Sequence, residues 1–82
     1  VPKSVYTEAY NRFRKLLIAA RKKANLTQAE LSNQLQRPQS YVSKYERGER
    51  RLDLIEFLEI AEALEIDPLK FIQEIRESKQ EK

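Results

Sequence analysis

Eighty-two residues are enough for one domain and too few for two. With no cysteine and no histidine, disulfide frameworks, thiolate metal sites and the commonest general base are excluded, and no apolar run approaches the ~20 residues that span a bilayer. The net charge of +3 hides a split: residues 1–51 hold 12 Lys/Arg against 4 Asp/Glu, and residues 52–82 hold 4 against 9, so the first half suits a polyanion and the second repels one.

The periodicity predicts five helices and no strand. The first runs from about Ser4 or Thr7 to Ala24, with Phe13, Leu16, Leu17, Ala20 and Ala24 as its buried stripe. Asn25 tolerates the left-handed conformation that ends helices, and Leu26 then returns to the core. Thr27 and Glu30 form a capping box for the second helix, which points Leu31 and Leu35 inward. A four-residue joint, Leu35-Gln36-Arg37-Pro38, leads to a third helix expected to start near Pro38, whose fixed φ suits a first turn. Val42 and Tyr45 face inward, and Gly48 is a natural stop. Asp53 and Glu56 announce a fourth helix to about Leu64, with a wide apolar face of Leu54, Ile55, Phe57, Leu58, Ile60, Ala61 and Leu64. Asp67-Pro68 opens the fifth, carrying Leu69, Phe71, Ile72 and Ile75. Residues 1–82 read as one domain with a core of about 13–72 and a polar tail, about 77–82, expected to fray. The chain has no methionine, so Val1 is expected not to be a native start, and a trimmed or excised domain is expected.

Thr27 to Gly48 reads as a helix-turn-helix. Two helices crossing sharply need a small residue where their backbones approach, and Ser32 supplies it. Val42 and Tyr45 lock the third helix inward, leaving Gln39, Ser40, Ser43, Lys44 and Arg47 on the opposite face. Glutamine bonds adenine bidentately and lysine contacts guanine O6 and N7, so this face suits a DNA major groove.

The segment from about Phe13 to Leu69 resembles the Cro/CI-type repressors, the Xre family: FRKLLIAARKKANLTQAELSNQL, then SYVSKYERGERRLDLIEFLEIAEAL, then IDP. The resemblance implies an all-α, compact five-helix bundle of the lambda-repressor-like type, with the third helix as recognition helix. It implies base contacts from Gln39, Ser40 and Lys44, with Ser43 at the groove wall, and a phosphate contact from Gln28. Tyr41 either touches phosphate or a thymine methyl or covers the core. Arg37, Arg50 and Arg51 flank the helix as backbone clamps, with Arg47 beside them, or are simply solvated charges. Arg21 and Glu46 match positions that form an ion pair between the first and third helices. Two departures stand out: Gln36 occupies the joint position where glycine is usual, at a cost of roughly 1 kcal/mol if its φ is positive, and Pro38 replaces the usual Ser/Thr cap.

The expected function is sequence-specific double-stranded DNA binding by a small cytoplasmic transcriptional regulator of bacterial, archaeal or phage origin. A homodimer on a palindromic operator is expected. The surplus apolar surface of the fourth helix and the stripe of Phe71, Ile72 and Ile75 are candidates for its interface, or else they finish the monomer core. The alternatives are an antitoxin-like or adaptor protein that binds a protein partner, and the DNA-binding domain of a longer regulator. No enzymatic role, metal or cofactor is expected: there is no phosphate-cradling glycine loop, and the carboxylates lie along solvated faces.

Overall fold

The computed structural model describes the backbone of residues 2–80 and the side chains of residues 8–77. Its elements are α1 (Pro2–Lys23), α2 (Gln28–Gln34), α3 (Tyr41–Glu46), α4 (Leu54–Leu64) and α5 (Pro68–Gln80). The described residues contain no strand. The first helix starts earlier than the sequence suggests, because Pro2 provides the preset φ of a first helical position. At the other end α5 continues to Gln80, past the expected onset of fraying at residue 77, and residues 81 and 82 lie outside the described residues.

Both capping boxes form. Thr27 Oγ1 accepts from the Glu30 N–H at 3.0 Å while Glu30 Oε1 accepts from the Thr27 N–H at 2.9 Å. Asp53 and Glu56 repeat the exchange at 2.8 and 3.0 Å. Each satisfies two donors that a helix start leaves open.

The first four helices share one kind of ending. At each, the chain turns through a left-handed residue: Asn25 (φ 65°), Gln36 (57°), Gly48 (80°) and Glu65 (60°). The N–H of the residue after the left-handed one returns to the carbonyl of the last turn, as Leu26 to Arg21, Arg37 to Ser32, Glu49 to Lys44 and Ile66 to Ala61. This paired-bond ending leaves few terminal carbonyls open. Only one of the four positions is glycine, so the other three each carry a cost of about 1 kcal/mol. Leu26 and Ile66, the residues that follow two of them, pack against the core.

Two expectations about the third helix are corrected. It begins at Tyr41, not near Pro38, and the joint is the six residues 35–40. Pro38 fixes its own φ but instead opens a turn closed by the Tyr41 N–H on the Pro38 carbonyl at 2.9 Å. The start is pinned from α2: Ser32 Oγ donates to the Gln39 carbonyl and accepts from the Val42 N–H, both at 3.2 Å. Ser32 is fully buried, as a close helix crossing requires.

The core is Leu17, Leu31, Tyr41, Val42, Tyr45, Phe57, Ile60, Ala61, Leu64 and Phe71. Six residues are far too few for a helix to persist alone, so α3 is held by packing. Tyr41, Val42, Tyr45 and Glu46 are buried against α1 and α2. α5 returns against α1, where Phe71 meets Phe13 edge-on at 6.0 Å and Phe57 at 5.2 Å. Ala24 is exposed because α1 ends before it.

Candidate nucleic-acid interface

Two arginines seven residues apart on α1 hold the end of α3. Arg21 Nε donates to Glu46 Oε2 at 2.8 Å and its Nη2 to Oε1 at 3.1 Å. Both side chains are buried, at 10% and 4% exposure. The third donor, Nη1, bonds the Leu26 carbonyl at 2.9 Å, in the connection between α1 and α2. The bonds to Glu46 raise the Arg21 pKa further despite burial. Arg14 donates to the Glu46 main-chain carbonyl and, at 2.8 Å, to Asn11 Oδ1. Its guanidinium lies over Gly48, where an added Cβ would stand 3.3 Å from Nε. A cation at the C-terminal end of α3 also complements the partial charge there.

Gln28 joins the same network. Its Nε2 donates to Glu46 Oε1 at 2.8 Å, which leaves one amide N–H and the carbonyl oxygen for any further contact. The half-buried carboxamide is therefore oriented by Glu46.

On the outer side, Gln39, Ser40 and Lys44 are exposed and Ser43 is half-buried. Because α3 is short, Gln39 and Ser40 project from the preceding turn and only Ser43 and Lys44 project from the helix itself. Lys44 makes no ion pair among the described residues.

The flanking cations are already engaged. Arg37 Nη2 meets Glu59 Oε1 at 2.7 Å. Arg50 makes two bonds to Glu56, at 3.0 and 2.8 Å, and Arg47 makes two to Glu49, both at 3.1 Å. Arg51 lies over the Tyr10 ring at 4.2 Å, and the Tyr10 hydroxyl accepts from the Leu52 N–H at 3.3 Å. The guanidiniums of Arg37 and Arg50 both sit 5.1 Å from the centre of the Tyr41 ring, a distance at which cation and ring attract. Tyr41 is only 6% exposed. It covers the core from beneath these two cations, and its hydroxyl pKa is raised by burial and the nearby Glu56 carboxylate.

The profile of a helix-turn-helix family matches residues 17–71. Among solved structures, an XRE-family like protein from Pseudomonas syringae pv. tomato str. DC3000 is 39% identical, with a TM-score of 0.90 over 94% of both chains. The chain belongs to the Xre family. No curated protein sequence matches it. The Xre family is one of DNA-binding regulators, and the bundle described above has its all-α helix-turn-helix fold. Among the described residues, no helix is long and apolar enough to cross a membrane.

Sequence reasoning missed Arg14, Tyr10, Glu56 as an arginine partner, Glu59 and the left-handed Glu65. For Arg14 a signal was present, since it lies two turns before Arg21 on the same face of α1. For Glu59 there was none, as 22 residues separate it from Arg37. The interface candidates divide. Phe71 is 6% exposed and belongs to the monomer core, and Ile75 packs against that core. Only Ile72, 40% exposed, faces outward. Helical geometry explains the split: Phe71 and Ile75 are one turn apart on the face toward α1, and Ile72 is rotated ~100° from Phe71.

Glu56 gives a pH prediction. Its bonds from Arg50 and from the Asp53 N–H hold its carboxyl at about 2, against an ordinary 4.5. A depressed folded pKa contributes stability that is present above the unfolded value and is lost as pH falls through the folded one. The contribution is therefore expected to disappear between about pH 4.5 and pH 2. Urea unfolding at several pH values should show the native chain losing stability faster than Glu56→Gln across that window. Parallel curves would exclude Glu56 as a source of acid sensitivity.

Proposed function

We propose that this Xre-family chain is a sequence-specific transcriptional regulator that places α3 and the turn before it in the major groove of double-stranded DNA. The observation that carries this reading is the division of α3. Four of its six side chains are buried, and exposed Lys44 together with Gln39 and Ser40 forms a hydrogen-bonding outer face. Gln39, Ser40 and Lys44 read base edges, with Ser43 at the groove wall. Gln28, Arg37, Arg47, Arg50 and Arg51 hold phosphates, which position the protein without reading sequence. Tyr41 supports two of those cations. The role is binding without chemistry, and it requires no cofactor.

A homodimer on a palindromic operator fits this reading, with recognition helices roughly 34 Å apart on one face of the duplex. Leu54, Ile55 and Leu58 of α4 and Leu69 and Ile72 of α5 are 40–71% exposed. On both helices this flank lies away from the α1 groove, which Ala63, Lys70 and Glu74 line. A second copy would cover it. A protein partner on the same face, as in an antitoxin or adaptor, is the competing occupant.

Selection of bound sequences from random duplexes tests the reading, followed by the same selection with Lys44→Ala. An enriched palindrome is expected for the native chain. Lys44→Ala is expected to weaken that site by roughly 1–3 kcal/mol and relax preference at one position per half-site. Uniform weakening across all sequences would make Lys44 a phosphate clamp. No enrichment at all would favour the protein-partner reading.

A further inference from the structure

We propose that Glu59 sets the affinity and salt dependence of DNA binding by competing with phosphate for Arg37. The inference rests on the DNA-binding reading above and adds an acidic residue that opposes it.

The two cations over Tyr41 are held in different ways. Arg50, itself 40% exposed, stays on Glu56, which takes two of its bonds, is only 14% exposed and also closes the capping box of α4. Arg50 therefore meets a phosphate through its remaining N–H groups without leaving its partner. Arg37 is exchangeable. It has one bond to Glu59, at 2.7 Å, and the partners are 31% and 47% exposed. Glu59 accepts no other hydrogen bond among the described residues. Tyr41, held in the core, keeps the Arg37 guanidinium near its ring whichever anion it meets. Arg37 stands in the joint ahead of α3, beside the Gln39 and Ser40 turn, where a strand bordering the groove would pass.

The consequence follows from ion counting. A cation that neutralises a phosphate releases a condensed counterion, and each such contact steepens the slope of log K against log salt by about 0.9. If Arg37 must first leave Glu59, the freed carboxylate draws a cation back from solution. The two exchanges oppose each other, so Arg37 adds little to the slope while Glu59 is present. Glu59 also repels the backbone. It therefore restrains sequence-independent binding and leaves base contacts a larger share of the discrimination.

The test measures binding of a random-sequence duplex from 50 to 300 mM salt for the native chain, Glu59→Gln, Glu62→Gln, Arg37→Ala and Arg37→Ala/Glu59→Gln. Glu62, exposed on the next turn of α4, controls for simple loss of a negative charge. Glu59→Gln is expected to bind about two- to fivefold more tightly near 0.1 M salt, the scale of one exposed ion pair, and to steepen the slope by roughly one unit. Glu62→Gln should shift the affinity less and leave the slope unchanged. In the Arg37→Ala background, Glu59→Gln should have no more effect than Glu62→Gln. Equal effects of the two glutamine variants, or an undiminished Glu59→Gln effect without Arg37, would overturn the proposal while leaving DNA binding intact. Failure of the native chain to bind any duplex at 50 mM salt would overturn the DNA-binding reading itself, and this proposal with it.

Discussion

Glu46→Ala is expected to destabilise the fold by roughly 3–5 kcal/mol, one of the two largest effects foreseen for any single substitution in this chain. The magnitude comes from what is left behind. Arg21 is buried and cannot lose its proton, and Glu46 accepts from both its Nε and its Nη2. Without the carboxylate a buried guanidinium is uncompensated, a situation that costs ~3–5 kcal/mol. Gln28 also loses its acceptor. The native pair is not worth that much, because desolvating two charges offsets most of their attraction. Replacing both with apolar side chains of similar volume, as in Arg21→Met/Glu46→Leu, should therefore recover most of the stability. Equilibrium urea unfolding of the native chain, the single and the double variants decides the matter. A loss below about 1 kcal/mol for Glu46→Ala, or a double variant weaker than the single, would mean that the network is not stabilised by mutual neutralisation. The recovered double variant should still bind DNA poorly, since Gln28 is no longer oriented. That combination of results would place the pair's role in positioning α3 and Gln28 rather than in net stability.

Sequence reading succeeded where the determinants are local and failed where they are not. The capping boxes at Thr27-Glu30 and Asp53-Glu56 each span three residues and were legible from residue type alone. So was the left-handed turn at Asn25, from asparagine's tolerance of positive φ. Glu65 adopts the same conformation with no such preference, compelled by the return of Ile66 to the core. Pro38 gives a strong local signal for a start of α3 that the structure moves to Tyr41. The deciding contacts come from Ser32, seven and ten residues away. The outer face of α3 was legible because its period is that of a helix and its inner residues are large and apolar. The engagement of Arg37 and Arg50 by Glu59 and Glu56 was not. The Arg37–Glu59 pair depends on how α4 lies beside the connection between α2 and α3, and the Arg50–Glu56 pair on the path of the connection between α3 and α4. The sequence marks Glu56 only as a capping residue and Glu59 only as part of an acidic second half.

The same distinction between face and composition governs the fifth helix. Phe71→Ala is expected to cost roughly 3–5 kcal/mol of fold stability, the range for emptying a buried aromatic site. Phe71 fills the space between α1, α4 and α5, with ring centroids 6.0 Å from Phe13 and 5.2 Å from Phe57. Neither neighbour can follow a shrinking side chain, since Phe13 and Phe57 also pack on each other at 5.6 Å. The loss should appear as a lower urea midpoint, by the same amount at every protein concentration, because it is a loss within one chain. Ile72→Lys separates the interface from the core. Ile72 is 40% exposed, one residue along from Phe71 on the outward flank, so a lysine there is tolerated by the monomer. If a second copy covers that flank, the native midpoint rises with protein concentration, and Ile72→Lys removes the rise. Should Phe71→Ala instead abolish the concentration dependence while leaving the dilute-limit midpoint unchanged, Phe71 would be an interface residue after all. Should Ile72→Lys lower the midpoint at all concentrations alike, the outward flank of α5 would belong to the fold rather than to a partner.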